Sequence, residues 1–284
     1  MKLAVVGHVE WVDFVVVGRL PRAGEILHAE SAHEEPAGGG GMAAYALRSL
    51  TGRCAFYCAV GDDARAQRTV ARLGEAGIDV RAGVHAGREQ RRVITYLTTG
   101  EGDGDGDGDR TITVLGPRLV PHGDDAVDWA ALASFDGVFL TAGDAAAVRA
   151  ARGAKVLVAT PRARDPLIAA GVSVDVLVGS AGDPGEAIDD ALVAATRPRW
   201  IVQTEGAAGG SWRAADGTTG RWDAVALPGA PVDDYGCGDA FAAALTAALA
   251  RGDDLPAACA LGARVGAALL CERAPVVGEL SAYW

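Results

Sequence analysis

A repeated switch of hydrophobic period is what most limits the folds open to this chain. Apolar runs of four to six residues, rich in Val and Leu, alternate with longer Ala-rich stretches of helical period. Strands are expected at about Leu3–Gly7, Ala55–Val60, Gly137–Thr141, Val156–Ala159, Val174–Val178 and Trp200–Thr204. Helices are expected at about Met42–Ser49, Ala64–Glu75, Asp124–Ala133, Gly185–Ala195, Gly238–Ala250 and Pro256–Leu270. Such alternation argues for a parallel sheet covered on both faces. In these sheets ligands sit beyond the carboxyl ends of the strands. With 284 residues, half of them hydrophobic, the chain can bury a sizeable core, which excludes a disordered or fibrous protein.

Two regions break the alternation. Phe14–Val17, Ile26–Ala32, Val93–Thr98 and Thr111–Leu115 read as strands with no helix between them, which suggests a small antiparallel sheet beside the main domain. A sheet this small cannot bury both faces alone. It is expected to lie over a site as a lid, to pair with another subunit, or both. Between the last two of these strands runs Glu101–Asp109, alternating Asp and Gly. It reads either as a calcium loop or as a solvated tip, and the bidentate Glu that closes a calcium loop is missing.

Composition removes several chemistries. The formal net charge is −11 and no basic stripe exists, which argues against nucleic acid as a partner. Only Lys2 and Lys155 are lysines, and neither follows a glycine-rich loop, so a Walker-type P-loop is excluded. No H-R-D or D-F-G element is present, nor a G-x-G-x-x-G after the first strand, which disfavours a protein kinase and a Rossmann dehydrogenase. The five cysteines form no C-x-x-C pair and the five histidines no ligand spacing. The thiols read as buried and free. No apolar run reaches a membrane span and no signal-peptide core is present, so a cytoplasmic protein without a membrane partner is expected.

Two glycine-rich helix starts carry the chemistry. Asp233-Asp234-Tyr235-Gly236-Cys237-Gly238-Asp239 opens an Ala-rich helix, where small residues let backbone N–H groups converge on an anion. Asp239 in the first turn can be a dipole-complementing cap or a base beside a transferring phosphoryl group. Gly38–Gly41 leads into the helix expected from Met42 and permits close backbone approach to a ligand. Arg164, just past an expected strand end, reads as a phosphate clamp or as a surface residue paired with Asp165.

In this order and spacing the two elements resemble the ribokinase family, the PfkB type of ATP-dependent carbohydrate kinases, over nearly the whole chain. Leu3–Gly7 with Asp13 and Leu20–Glu25 looks like the family's opening strand and lid start, and Asp109–Ile112 like its returning lid strand. Thr204–Gly209 looks like the nucleotide-side loop. The resemblance implies a ribokinase-like three-layer α/β/α sandwich with a mostly parallel central sheet and a small β-lid. It implies one domain over 1–284, with lid strands drawn from about 13–35 and 92–116. Asp239 would be the catalytic base, with Gly236, Cys237 and Gly238 as the anion hole. Asp13, Gly39, Gly40, Gly41 and Arg164 would meet the substrate, and Thr204, Gly206 and Gly209 would border ATP. Ser180-Ala181-Gly182-Asp183 stands where the family has Asn-x-x-Glu, so Asp183 would hold Mg²⁺ through water. Ala43 stands where the family has an Asn, and Val12 is a second equivalent of the opening Asp beside Asp13.

The implied activity is ATP-dependent phosphorylation of a hydroxymethyl group on a sugar or polyol, with lid strands pairing two subunits. A nucleoside kinase of the same family would want an aromatic wall, which Trp11, Phe14 and Tyr45 could supply. The alternative from another class is a non-catalytic sugar- or nucleotide-binding relative.

Overall fold

The computed structural model describes residues 1–99, 110–275 and 277–284, so the Asp/Gly tip and its calcium reading lie outside the described residues. The first half runs β1 (Leu3–Val6), β2 (Glu10–Val17), β3 (Ser31–Ala37), α1 (Gly38–Thr51), β4 (Ala55–Val60), α2 (Ala64–Glu75), β5 (Asp79–Val84), β6 (Arg92–Thr98) and β7 (Arg110–Leu115). The second half runs β8 (Gly137–Leu140), α3 (Ala145–Ala151), β9 (Val156–Ala159), α4 (Arg164–Ala170), β10 (Val176–Ser180), α5 (Asp190–Thr196), β11 (Trp200–Thr204), β12 (Gly210–Ala214), β13 (Thr219–Trp222), α6 (Cys237–Arg251) and α7 (Leu255–Leu269).

Among the described residues a nine-stranded sheet has the order β13-β12-β11-β10-β9-β8-β1-β4-β5. It is parallel from β5 to β11, and β12 alone runs against its neighbours. Strand alternation sends Val5, Phe56, Phe139, Val158 and Val202 into one core with α1, α2, α6 and α7. Ala4, Val6, Tyr57, Leu140 and Leu177 enter a second core with α3, α4 and α5. Helices therefore cover both faces, as the apolar runs require. Cys54, Cys58 and Cys259 are free, and burial pushes each thiol up to about 12, which leaves them unreactive packing groups.

The second sheet has the order β3-β2-β6-β7. It is mixed rather than antiparallel, because the central pair β2–β6 is parallel. The reason is topological: β3, α1, β4, α2 and β5 lie between the two strands in sequence, and that long crossover brings the chain back in the same direction. The lid also begins earlier than expected, at Glu10. Its second strand is Ser31–Ala37 instead of Ile26–Ala32, and Ile26 is 91% exposed. Ser31–Ala37 has no apolar alternation; its pairing with β2 makes it a strand.

The helix expected at Asp124–Ala133 is absent apart from a 3₁₀ turn at Trp129–Ser134. The Asp125 carboxylate accepts the N–H of His122 at 2.7 Å, and such side-chain bonds compete with helix formation. Two short helices, α3 and α4, and the strands β5, β12 and β13 were not legible as periodic runs.

Candidate active site

Helix starts divide into two kinds. α2, α3, α5 and α7 begin at Asp63, Asp144, Asp189 and Asp254, whose carboxylates accept first-turn N–H groups at 2.7–3.0 Å. The short α4 begins at Ala163 with no side-chain cap, and the long helices α1 and α6, which begin at Ala37 and Gly236, have none either. Those two starts face each other. A Cβ built at Gly39 would lie 2.9 Å from Asp239 Oδ1, so the backbone of α1 passes directly beside the carboxylate of α6. The meeting point lies past the carboxyl end of β1, where the strand order reverses direction between β4 and β8. The glycine run is thus the first turn of α1 rather than a loop ahead of it, with Gly40 packed against the His8 carbonyl and Gly41 buried.

Local bonds hold the loop before α6. The buried Asp233 accepts the Tyr235 N–H at 2.8 Å and the Ala274 N–H at 3.2 Å. Gly236 has φ +81°, a left-handed conformation that turns the chain into α6. Helix geometry then aims the first-turn N–H groups of α6 toward the end of the helix, that of Cys237 also meeting the Asp234 carbonyl at 3.4 Å. The Tyr235 hydroxyl accepts the Gly38 N–H at 3.0 Å, which ties the two helix starts together. The lid docks on the same loop: Phe14 meets Tyr235 edge-on at 5.3 Å and stacks on His33 at 5.0 Å.

Charged side chains line both flanks. On one, Arg162 pairs with Asp183 and reaches Glu186 at 2.7 Å, and it lies within electrostatic reach of Asp239. Glu186 also accepts the Ser180 N–H at 2.7 Å. On the other, buried Glu10 sits beside Gly38 and forms an ion pair with Arg91 at 3.0 Å, at an angle too poor for a hydrogen bond. Burial raises the Glu10 carboxyl above its usual range, opposed by Arg91 and then Arg118. His8 is held down to about 3, first by burial and then by Arg118, Arg91 and Arg162. It is therefore neutral throughout the physiological range. Arg118 makes no salt bridge or hydrogen bond among the described residues, and its pKa is lowered by desolvation and by Arg91.

The structure does not bring every expected residue to this cleft. Asp13 pairs with Arg92 at 2.6 Å, and strand alternation puts it on the face opposite Glu10, Val12 and Phe14. Of the two equivalents, Val12 therefore shares the face that docks on Tyr235. Arg164 is bound to both oxygens of Asp189 at 2.6–2.7 Å, neither free as a clamp nor paired with Asp165. Asp183 is beside the cleft. Thr204 ends β11 next to it, its carbonyl accepting the Ala181 N–H at 2.9 Å, and Gly206–Gly209 closes a turn through the Gly209 N–H at 3.0 Å. That turn leads through Trp222, stacked on Phe241 at 5.7 Å, back to α6. The three aromatics expected to wall a nucleobase do not assemble. Trp11 lies under Arg68 and Phe14 is fully buried, while Tyr45 is half-buried near Glu35 and Arg72.

Sequence reasoning missed Arg162, Glu186, Glu10, Arg91 and Arg118. Arg162 stands two positions before the Arg chosen, and a helix starting at Arg164 was the signal that could have separated them.

No helix among the described residues is long and apolar enough to cross a membrane. The sequence profile of the pfkB family of carbohydrate kinases matches residues 1–278. No curated protein matches the chain. Among solved structures it is similar to ribokinase from Thermotoga maritima, at 16% identity and TM-score 0.74, covering 100% of this chain and 99% of that one. It is similar also to Arabidopsis thaliana ribokinase with ribose and ATP (17%, TM-score 0.72, 99% and 98% covered). Phosphofructokinase-2 from Escherichia coli, in complex with substrates and products, matches likewise (15%, TM-score 0.72, 99% and 98% covered). With the fold ribokinase-like and the match spanning nearly the whole sequence, the chain belongs to the pfkB family of carbohydrate kinases.

Proposed function

We propose that this protein transfers the γ-phosphoryl group of ATP to a hydroxymethyl group of a sugar or related polyol. The observation that carries the reading is the meeting of two uncapped helix starts at the Asp239 carboxylate. Asp239 accepts the proton of the acceptor hydroxyl as its oxygen attacks the γ-phosphorus; the bond to the β-bridging oxygen breaks and ADP leaves. The N–H groups of Gly236, Cys237 and Gly238 meet the charge on the transferring group, and the α6 dipole adds roughly half a positive charge there. Arg162, paired with Asp183 and Glu186 and within electrostatic reach of Asp239, would add positive charge to the same side of the site. Gly39–Gly41 floor the acceptor pocket, and Thr204, Gly206 and Gly209 border the nucleotide.

The oxygen donors Asp183 and Glu186 suit a hard cation held through water. When bound, Mg²⁺ neutralises nucleotide phosphate charge, and these two carboxylates would orient its waters. The test is ADP release over a panel of neutral sugars, sugar acids, sugar phosphates and nucleosides. Turnover of a sugar supports the reading. A nucleoside preference, or nucleotide binding without turnover, overturns it.

Arg118 favours a second reading of the acceptor, as a sugar carrying a phosphate or carboxylate. Among the described residues it has no salt-bridge or hydrogen-bond partner, and it lies within electrostatic reach of Arg91 and His8. A lost charged hydrogen bond is worth about 1.5–3 kcal/mol. Arg118→Ala is therefore expected to raise KM for an anionic acceptor by roughly 10- to 100-fold. KM for ATP should not change; equal effects on neutral and anionic acceptors would remove this reading.

The lid is also proposed to pair subunits. Ile112, Val114 and Leu115 on its edge strand β7 are 42–45% exposed, an apolar edge that calls for cover. Sedimentation should show a dimer that Val114→Glu dissociates, and a parent that sediments as a monomer would refute pairing.

A further inference from the structure

Three side chains far apart in sequence converge beyond the edge of the main sheet. His85 lies between β5 and β6, and His122 and Asp125 follow β7. One ligand atom from each lies within 4.8 Å of the others. His85 Nε2 and Asp125 Oδ1 are 3.1 Å apart, and the two imidazoles face each other at 4.8 Å between ring centres.

The supporting bonds are of the kind that hold ligands in place. The other Asp125 oxygen accepts the His122 N–H at 2.7 Å, and the Asp125 N–H returns to the His122 carbonyl at 3.0 Å. The adjacent Gly123 N–H is fixed by Asp144 at 3.0 Å. His85 is anchored through its N–H on the Val60 carbonyl at 2.9 Å. Asp125 thus keeps one oxygen for its loop and turns the other toward both rings, the division of labour of a supported metal ligand. Only 9% of the Asp125 side-chain surface is exposed, while His122 is exposed and gives an ion a way in.

Two imidazoles and one carboxylate suit zinc-like ions rather than Mg²⁺ or Ca²⁺, which prefer oxygen alone. Metal–ligand bonds of roughly 2.0–2.1 Å put tetrahedral ligand atoms about 3.3 Å apart. Closing from the present spacing asks mainly for a turn of the exposed His122 ring. We propose that His85, His122 and Asp125 bind one divalent transition-metal ion of the zinc class, with water in the fourth position. The ion would join the segment leading into β6 to the segment leaving β7, and so brace the base of the lid. Arg91 and Arg118 lie on those two segments. The proposal does not depend on the acceptor assigned above.

The experiment is titration of the full chain with Zn²⁺ alone, followed by calorimetry and by thermal melts with and without chelator. One equivalent should bind and raise Tm, and Co²⁺ in its place should give the visible band of a tetrahedral site. His122→Ala, on an exposed ring, should leave the metal-free Tm unchanged and lose the zinc-dependent rise. Its affinity should fall by more than about 100-fold, beyond the 10- to 100-fold that loss of a supporting hydrogen bond produces. Asp125→Asn should weaken binding in the same direction. Zinc that still binds His122→Ala, held for example by the partly accessible Cys237 or Cys271, would overturn the proposal. So would a parent protein that binds none.

Discussion

Asp239→Asn is expected to lower kcat by roughly 10²–10⁴-fold while fold and ATP binding persist. The amide is nearly isosteric, so it still fits beside Gly39, where a built Cβ comes within 2.9 Å of the carboxylate oxygen. In the proposed role, what it would lose is the capacity to accept a proton from the acceptor. Stability should fall by less than about 1 kcal/mol, the usual worth of a first-turn carboxylate facing a helix dipole. The two roles of Asp239 therefore separate cleanly: a base is read in kcat, a cap in Tm. Retained turnover with an accepted sugar, together with a lowered Tm, would return Asp239 to capping.

Gly236→Val should be the most damaging single change to the loop before α6. At φ +81° a β-branched residue pays about 1–2 kcal/mol for the left-handed conformation. Its Cβ would also lie 2.8 Å from Met42, a buried residue of α1 that cannot retreat without disturbing the core, at about 1–3 kcal/mol more. The loop would relieve the clash by rotating the N–H groups of Gly236, Cys237 and Gly238, so kcat should fall with stability. At roughly 2–4 °C per kcal/mol, Tm should drop by about 4–20 °C. Gly238→Ala is the control: a Cβ there meets nothing within 4 Å and should leave Tm nearly unchanged. Equal melting of Gly236→Val and parent would show that the loop has no need of its left-handed glycine.

The amino-acid sequence alone was enough for the architecture, because its signals are local. Short apolar runs such as Ala55–Val60 and Val156–Ala159 are apolar on both sides, and only a sheet covered twice over satisfies them. The glycine-rich starts of α1 and α6 were equally legible, since small residues at a helix start are a property of a few consecutive positions. Edge elements such as Ser31–Ala37 were not, because a polar segment becomes a strand only through the neighbour that pairs with it.

Side-chain direction was settled only by the tertiary structure. Asp13 and Glu10 are both acidic residues of β2, and one face of the lid or the other decides which sees the cleft. Arg162 and Arg164 are two positions apart, yet one pairs with Asp183 and Glu186 within electrostatic reach of Asp239 and the other is spent on Asp189. His85, His122 and Asp125 carry no recognisable ligand spacing, and they meet because the return from β7 crosses the end of β5. Periodicity and backbone demands act within a few residues and can be read along the chain. Which long side chains converge depends on contacts between segments distant in sequence, and packing alone decides that.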